Sequence, residues 1–207
     1  MCIMNLALSR MKLETERLII RPYMETDLMA SFEIMQNPEV LAFMHMEVMQ
    51  RHEYEGMFRW LMFSYHTPFE LPFKYSFAIC DKATGQLIGW CGAGVLEFRA
   101  PDAELYYLIG REHWGRGYAT EAAAAMADYA FEVIGLEQLY AKADPRNTAS
   151  LGVLRKLGFQ VEQELAGLTG DYEDCNGELL HVLTKERFVE RAFKAGNDHI
   201  LRGRAMN

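Results

Sequence analysis

Two glycines constrain this chain more than any other feature. Gly115 and Gly117 stand in Glu112-His-Trp-Gly-Arg-Gly-Tyr-Ala-Thr-Glu121, after an alternating strand-like run, Ala103 to Ile109, and at the head of a small-residue run, Gly117 to Ile134. That run places Ala119, Ala123, Met126, Ala130 and Ile134 on one helical face and stops at Gly135. Glycines at such a joint let the backbone turn so that several N–H groups point one way, with the positive end of the helix dipole behind them. The joint is therefore an anion site suited to a pyrophosphate, to which Arg116 and Arg111 add charge. Strand-like Gln138 to Ala143 follows, and a strand, helix, strand unit means a parallel crossover. The third glycine position of a dinucleotide fingerprint is Thr120 here, and no Gly-Lys-Ser/Thr follows as in a Walker A loop. The anion must belong to another phosphate-bearing ligand.

The remaining patterning points to one α/β domain over residues 1–207. At 207 residues the chain is close to the ~150 of a single domain, and no repeat, low-complexity segment or linker-like stretch interrupts it. Leu13 to Arg21 reads as a strand that stops at Pro22, and Glu25 to Gln36 as a helix ended by Asn37-Pro38. A second helix is expected from about Arg51 to Tyr65, with Met57, Trp60, Leu61 and Ser64 at 3 and 4 spacing. Lys74 to Asp81, Gln86 to Leu96 and Ala103 to Ile109 should form an antiparallel meander, the first pair joined by a hairpin-length turn ending in Gly85. After Asp144-Pro-Arg146, the pattern predicts a helix from Asn147 to Leu157 stopped by Gly158, strands near Phe159 to Glu164 and Glu178 to Thr184, and a helix from Lys185 to Lys194 before a polar tail.

Composition excludes several functions. Twenty-one Lys and Arg against 29 Asp and Glu leave a net charge of −8, spread along the chain, which disfavours generic nucleic-acid binding. No apolar run approaches the ~18 residues of a membrane span, and no clean signal-peptide core opens the chain, so a cytoplasmic protein is expected. Cys2, Cys80, Cys91 and Cys175 are scattered without a C-x-x-C pair, and the six histidines show no metal-ligand spacing. Reduced thiols and no metal are expected. His45, His52, His66 and His113 read as surface or core residues, and the Met-rich stretch from Met44 to Met62 reads as core packing before ligand surface.

A second signal follows the strand at 138–143. In Asp144-Pro-Arg-Asn-Thr-Ala-Ser150, Asn147 is placed to cap a helix and Ser150 lies in its first turn, near the strand end. Both residues suit capping alone; their place on consecutive strand ends beside the anion loop opens a second role. Taken in order, Thr15-Glu-Arg-Leu-Ile-Ile-Arg-Pro22, Trp114-Gly-Arg-Gly-Tyr-Ala-Thr-Glu-Ala122, and Asn147-Thr-Ala-Ser150 with Lys156-Leu-Gly-Phe159 resemble the GNAT N-acetyltransferases. Within them the chain is similar to the ribosomal-protein-alanine (RimJ/RimL-like) branch. The resemblance covers roughly Lys12 to Phe188. It implies the GNAT fold, a central mixed, mostly antiparallel twisted sheet of about seven strands flanked by helices, and it implies acetyl-CoA as cosubstrate.

By this resemblance the backbone of Gly115, Arg116, Gly117, Tyr118, Ala119 and Thr120 holds the pyrophosphate, and the strand end at Leu108, Ile109 and Gly110 pairs with the pantetheine amides. Asn147 and Ser150 match the positions facing the cofactor arm and its sulfur. Two positions depart from the family pattern. Glu112 replaces the usual Gln or Arg and is expected to face solvent, and Tyr106-Tyr107 stands where Gly often precedes the strand tyrosine. An amine attacks a thioester only when neutral, so a base or water chain must take its proton. Glu104, on the strand lining the groove, leads a shortlist completed by Asp171, Glu173 and Asp174. Ser150 is a hydrogen-bond donor to the departing sulfur and not a nucleophile, consistent with direct transfer. The acceptor expected first is a protein N-terminal amine; the alternatives are a small amine such as a polyamine or aminoglycoside, or a non-catalytic CoA-binding module. A monomer or a homodimer is compatible with the sequence.

Overall fold

The computed structural model describes Leu8 and residues 11–194. Cys2 and the tail beyond Lys194 lie outside the described residues. One sheet of eight strands runs through the molecule in the order β1-β2-β3-β4-β5-β6-β8-β7. The strands are β1 (Leu13–Glu14), β2 (Leu18–Pro22), β3 (Lys74–Asp81), β4 (Leu87–Val95), β5 (Ala103–Ile109), β6 (Gln138–Ala143), β7 (Gln160–Glu164) and β8 (Leu179–Thr184). The helices are α1 (Leu28–Ile34), α2 (Pro38–Leu41), α3 (Arg51–Ser64), α4 (Tyr118–Tyr129), α5 (Thr148–Leu157) and α6 (Lys185–Lys194).

The count of eight strands, not seven, comes from the run expected as one strand at Leu13 to Arg21. It folds back on itself, pairing Leu13 with Ile20 and Glu14 with Ile19. The hinge is a side-chain effect: Thr15 Oγ1 accepts the Leu18 N–H at 2.9 Å while the Thr15 N–H donates to the Leu18 carbonyl at 3.0 Å, closing a turn over Glu16-Arg17. Asn37-Pro38 likewise starts an element as well as ending one. Asn37 Oδ1 caps α2 through the Glu39 N–H at 2.9 Å, and Pro38 occupies the first helical position, where its missing N–H costs nothing. The helix expected from Glu25 is a 3₁₀ turn over Glu25–Asp27 leading into the shorter α1. The run expected as one helix to Ile134 ends its α portion at Tyr129 and continues as a π turn over Ala130–Ile134 before Gly135.

The meander β3-β4-β5 is antiparallel, and β5 reaches β6 through α4 in parallel, as the pattern predicts. Helices cover both faces. Alternation along β5 sends Leu105 and Ile109 to the face packed by Ala122, Ala123 and Met126 of α4, and Leu108 to the face packed by Tyr54 and Phe58 of α3. The buried stripe of α3 is therefore Tyr54 and Phe58, whereas Trp60, one of the residues at 3 and 4 spacing, is 53% exposed. Fully burying a side chain such as Phe58 stabilises the fold by roughly 1.5–3 kcal/mol, which fixes α3 over the sheet and leaves its other residues free to line a groove.

Candidate active site

The loop before α4 is built as an anion cradle. Gly115 and Gly117 have φ of 74° and 82°, the left-handed region that glycine enters without strain. The first hydrogen bond of α4 runs from the Glu121 N–H to the Gly117 carbonyl at 3.1 Å, so the N–H groups of Tyr118, Ala119 and Thr120 are the orphan donors of the first turn. A Cβ at Gly115 would meet nothing within 4 Å, so open space lies before the loop. The cradle is hooked to the β1–β2 turn. Glu121 accepts hydrogen bonds from Thr15 Oγ1 (2.5 Å), the Arg17 N–H (2.9 Å) and Arg17 Nε (2.7 Å), while Arg17 Nη1 donates to the Arg116 carbonyl at 2.8 Å. Burial raises the Glu121 pKa, but these donors outweigh it and hold the carboxyl below its ordinary value, so the acid in the first turn is neutralised by Arg17. Glu112 is exposed.

Beyond the cradle β5 and β6 diverge. Among the described residues their ladder is confined to Glu104 opposite Tyr140, at the closed end. The Gly110 N–H donates to the Ile88 carbonyl at 2.8 Å, so by the two-residue period of an antiparallel ladder Leu108 and Gly110 direct their backbone groups into β4. Tyr107 and Ile109 direct theirs into the opening. The Ile109 carbonyl already accepts the Trp114 indole N–H at 2.6 Å. Within the expected Leu108–Gly110 segment, the open donor edge thus falls to Ile109, with Tyr107 before it.

Across the opening lies the first turn of α5. Asn147 Oδ1 accepts the Ser150 N–H at 3.0 Å, a cap made by the Asn side chain and the Ser backbone. The Ser150 hydroxyl takes no part in that cap; it lies 2.9 Å from the Tyr107 hydroxyl. Burial pushes the Tyr107 phenol up to about 12, partly opposed by its bond to Ser150, so the pair is two neutral hydroxyls at physiological pH.

These parts line one groove of about 1010 Å³. Its floor holds a charged cluster. Lys142 Nζ stands 3.7 Å from Glu104 Oε2 and 3.9 Å from Glu178 Oε2, and Glu178 Oε1 lies 3.3 Å from His45 Nε2. Burial raises the Glu104 pKa against the pull of Lys142 and Lys74. Burial also works against the Lys142 charge, but Glu104, Cys175 and Glu178 outweigh it and keep the lysine protonated. Glu178 Oε2 is buried and has no hydrogen-bond partner.

Glu104, Leu108, Ile109, Gly115, Gly117, Tyr118, Ala119, Thr120, Asn147 and Ser150 all line this groove, whereas Gly110 and Arg116 do not. Gly110 is sealed beneath Ile88 and Ile34, and Arg116 contributes its carbonyl to Arg17. Asp171, Glu173 and Asp174 are exposed and lie outside the lining, which leaves Glu104 alone of the shortlisted bases. Three participants carried no sequence signal of a site. Glu178 and His45 are 133 residues apart, Lys142 reads as one polar position in a strand, and His45 has φ of 50° as a non-glycine residue.

A family profile described as an acetyltransferase (GNAT) domain matches residues 17–160. The chain belongs to the GNAT acetyltransferases. An uncharacterized N-acetyltransferase p20 from Bacillus licheniformis is 41% identical over 106 residues, covering 51% of this chain and 57% of the relative. The chain thus spans a little over half of that relative's length. A spermidine N(1)-acetyltransferase from Escherichia coli K12 is 34% identical over 114 residues, covering 51% of this chain and 61% of the relative. Among solved structures, Mycobacterium smegmatis RimJ in complex with CoA-disulfide superposes with a TM-score of 0.70 at 23% identity, over 86% of this chain and 89% of that one. The acetyl-CoA that GNAT enzymes use fits this site. Orphan N–H groups and open space at the cradle suit a pyrophosphate, and the unpaired edge at Ile109 suits an extended amide arm. Among the described residues, no group of three or more His, Cys, Asp or Glu could hold a metal ion, and no helix is long and apolar enough to cross a membrane.

Proposed function

We propose that this GNAT enzyme transfers the acetyl group directly to a primary amine, with a protein N-terminal amine as the acceptor, in the manner of the ribosomal-protein-alanine branch, and that it works in the cytoplasm. Bound acetyl-CoA supplies the activated thioester. The amine nitrogen forms the new N–C bond, the C–S bond breaks, and one amine proton goes to Glu104, whose desolvated carboxylate is a stronger base than a solvated one. Ser150 donates to the sulfur that leaves, and its own oxygen is polarised by the neutral Tyr107 phenol. Gly115 to Thr120 hold the pyrophosphate through backbone donors, with Asn147 facing the arm. The observation that carries this reading is the Ser150–Tyr107 hydroxyl pair, which joins the open edge of β5 to the first turn of α5 in the groove that the cradle also lines. A binding-only module has no use for it.

A small amine is the second reading, supported by the 34% identity to a spermidine acetyltransferase. Thiol release from acetyl-CoA, measured against N-terminal peptides, polyamines and aminoglycosides with mass spectrometry of the products, tests both. Acetylated peptide as the dominant product supports the first reading, and acetylated polyamine or aminoglycoside replaces it with the second.

A further inference from the structure

The acceptor half of the groove combines one small negative site with a large apolar wall. Five carboxylates line the groove, Glu39, Glu97, Glu104, Asp144 and Glu178, against the four cations Lys74, Lys142, Arg146 and Lys156. The lining therefore carries a single net negative charge when its histidines are neutral. Glu39 is paired with Arg111 at 2.9 Å and Asp144 with Arg146 at 2.6 Å, and Glu97 accepts the Tyr172 hydroxyl at 2.9 Å. What remains is the pair Glu104 and Glu178, with side chains 12% and 7% exposed, with Lys142 between them and Lys74 also acting on Glu104. Glu104 thus has two lysines acting on it, which leaves Glu178, 3.9 Å from Lys142, as the carboxylate able to take one further ammonium. Glu178 Oε2, buried without a hydrogen-bond partner while its residue lines the groove, is the atom with unused acceptor capacity.

Around this cluster the wall is apolar. Phe43, Met44, Met46, Met57, Trp60 and Trp90 line it, and Trp60 and Phe43 are 53% and 36% exposed on the groove rim. Exposed aromatics gathered at a concave site beside methionines, whose side chains adapt to the shape of a ligand, favour an apolar body over a chain of charges. His45 closes the polar end by its contact with Glu178, held by a left-handed backbone that a histidine adopts only at a cost.

Resting on the acetyl-transfer chemistry above but departing from the small alanine acceptor of the ribosomal-protein-alanine branch, we infer that the acceptor is a monoamine, a single primary ammonium carried on an apolar body the size of a large hydrophobic or aromatic side chain, and not a polyamine. A peptide with a hydrophobic first residue and an arylalkylamine share this chemistry. Glu178 takes the ammonium and the Met and aromatic wall takes the body.

The test uses the full chain saturated with CoA, reading the tryptophan fluorescence, to which Trp60, Trp90 and Trp114 of the groove contribute, as 2-phenylethylamine, a peptide with N-terminal Leu, putrescine and spermidine are titrated in. Parallel assays follow thiol release from acetyl-CoA. At least one of the two apolar amines should bind ten times or more tighter than either polyamine, a gap of about one decade in Kd. The stronger of the two names the source of the amine. Trp60→Ala, at an exposed position, should weaken the apolar amine about tenfold and leave spermidine unchanged. Glu178→Gln should weaken 2-phenylethylamine and not the neutral 2-phenylethanol. Spermidine or putrescine binding as tightly as the apolar amines, or no amine binding at all, overturns the inference. Binding in the expected order without thiol release supports the monoamine site itself and removes the acetyl-transfer reading, so that the amine is a ligand and not an acceptor.

Discussion

The hydroxyl of Tyr107 lies 2.9 Å from Ser150 Oγ and 3.3 Å from the Ser150 carbonyl oxygen, tying the open edge of β5 to the first turn of α5. The helix cap is made by the Asn147 side chain and the Ser150 backbone, so the Ser150 hydroxyl can be removed without uncapping the helix. Ser150→Ala should therefore keep its thermal stability within about 0.5 kcal/mol, as for a substitution that breaks no cap, and lower kcat by about ten to a hundredfold, the ~1.4–2.8 kcal/mol of a hydrogen bond to developing charge. Asn147→Ala should instead cost about 1 kcal/mol of stability through the lost cap. Steady-state kinetics and denaturant melts on the two variants check the contrast. Unchanged turnover in Ser150→Ala would take the serine out of the mechanism.

Gly117→Val should damage acetyl-CoA affinity far more than Arg116→Ala. Gly117 has φ of 82°, and its Cβ would sit 3.4 Å from Arg17 Nη2, so a β-branched residue strains the cap and presses on the clamp that holds the loop. Arg116 is exposed and lends the loop its backbone. Calorimetric titration should show a loss of tenfold or more for Gly117→Val and about threefold or less for Arg116→Ala, a gap of at least about 0.7 kcal/mol. Equal losses would mean that side-chain charge, not backbone donors, binds the phosphates.

The hook between Glu121 and the β1–β2 turn gives a pH prediction. The Glu121 pKa is lowered in the folded chain from 4.5, burial being outweighed by Thr15 and Arg17. Its contribution to stability is thus complete above the unfolded carboxyl range and is lost as pH falls through the folded value. Arg17 is 41% exposed, so solvent screening holds the contribution to about 1 kcal/mol. Urea melts from pH 7 down to pH 3 should show a steeper loss for the wild type than for Glu121→Gln, and Glu121→Gln should also raise the acetyl-CoA KM.

Glu104 has the opposite sign. Burial raises its pKa above 4.5, so its stability contribution is present below the unfolded value and lost as pH rises through the folded one, while its activity as a base is gained over the same interval. The kcat/KM profile should have an acid limb above pH 4.5 that Glu104→Gln abolishes, with a fall in kcat of about 10²–10⁴-fold. A limb that survives in Glu104→Gln assigns the proton to another acceptor.

The cradle was legible because two glycines between a strand and an alanine-rich helix have few physical uses, and the structure places both in the left-handed region. The mixed sheet, the meander and the crossover through α4 follow from alternation and helical spacing. The β1–β2 hairpin was not legible, since a Thr side chain closes its turn and a continuous alternating run hides it. Glu178, Lys142 and His45 were not legible for a different reason. They meet only through tertiary contacts, and single charged residues in a strand, before a strand and in a Met-rich loop carry no local pattern. The buried stripe of α3 was not legible because 3 and 4 spacing fits two adjacent stripes of one helix, and packing against the sheet selects Tyr54 and Phe58 over the stripe of Met57 and Trp60.

The most direct test of the account is to incubate the purified full chain with acetyl-CoA and a panel of free amines, following thiol release while mass spectrometry locates the added group. The account predicts one acetyl group on a primary amine for each thiol released, with no acetylated enzyme at any stage. Binding of acetyl-CoA with no acetylated amine in the panel, or an acetyl group trapped on the protein as a competent intermediate, would contradict it.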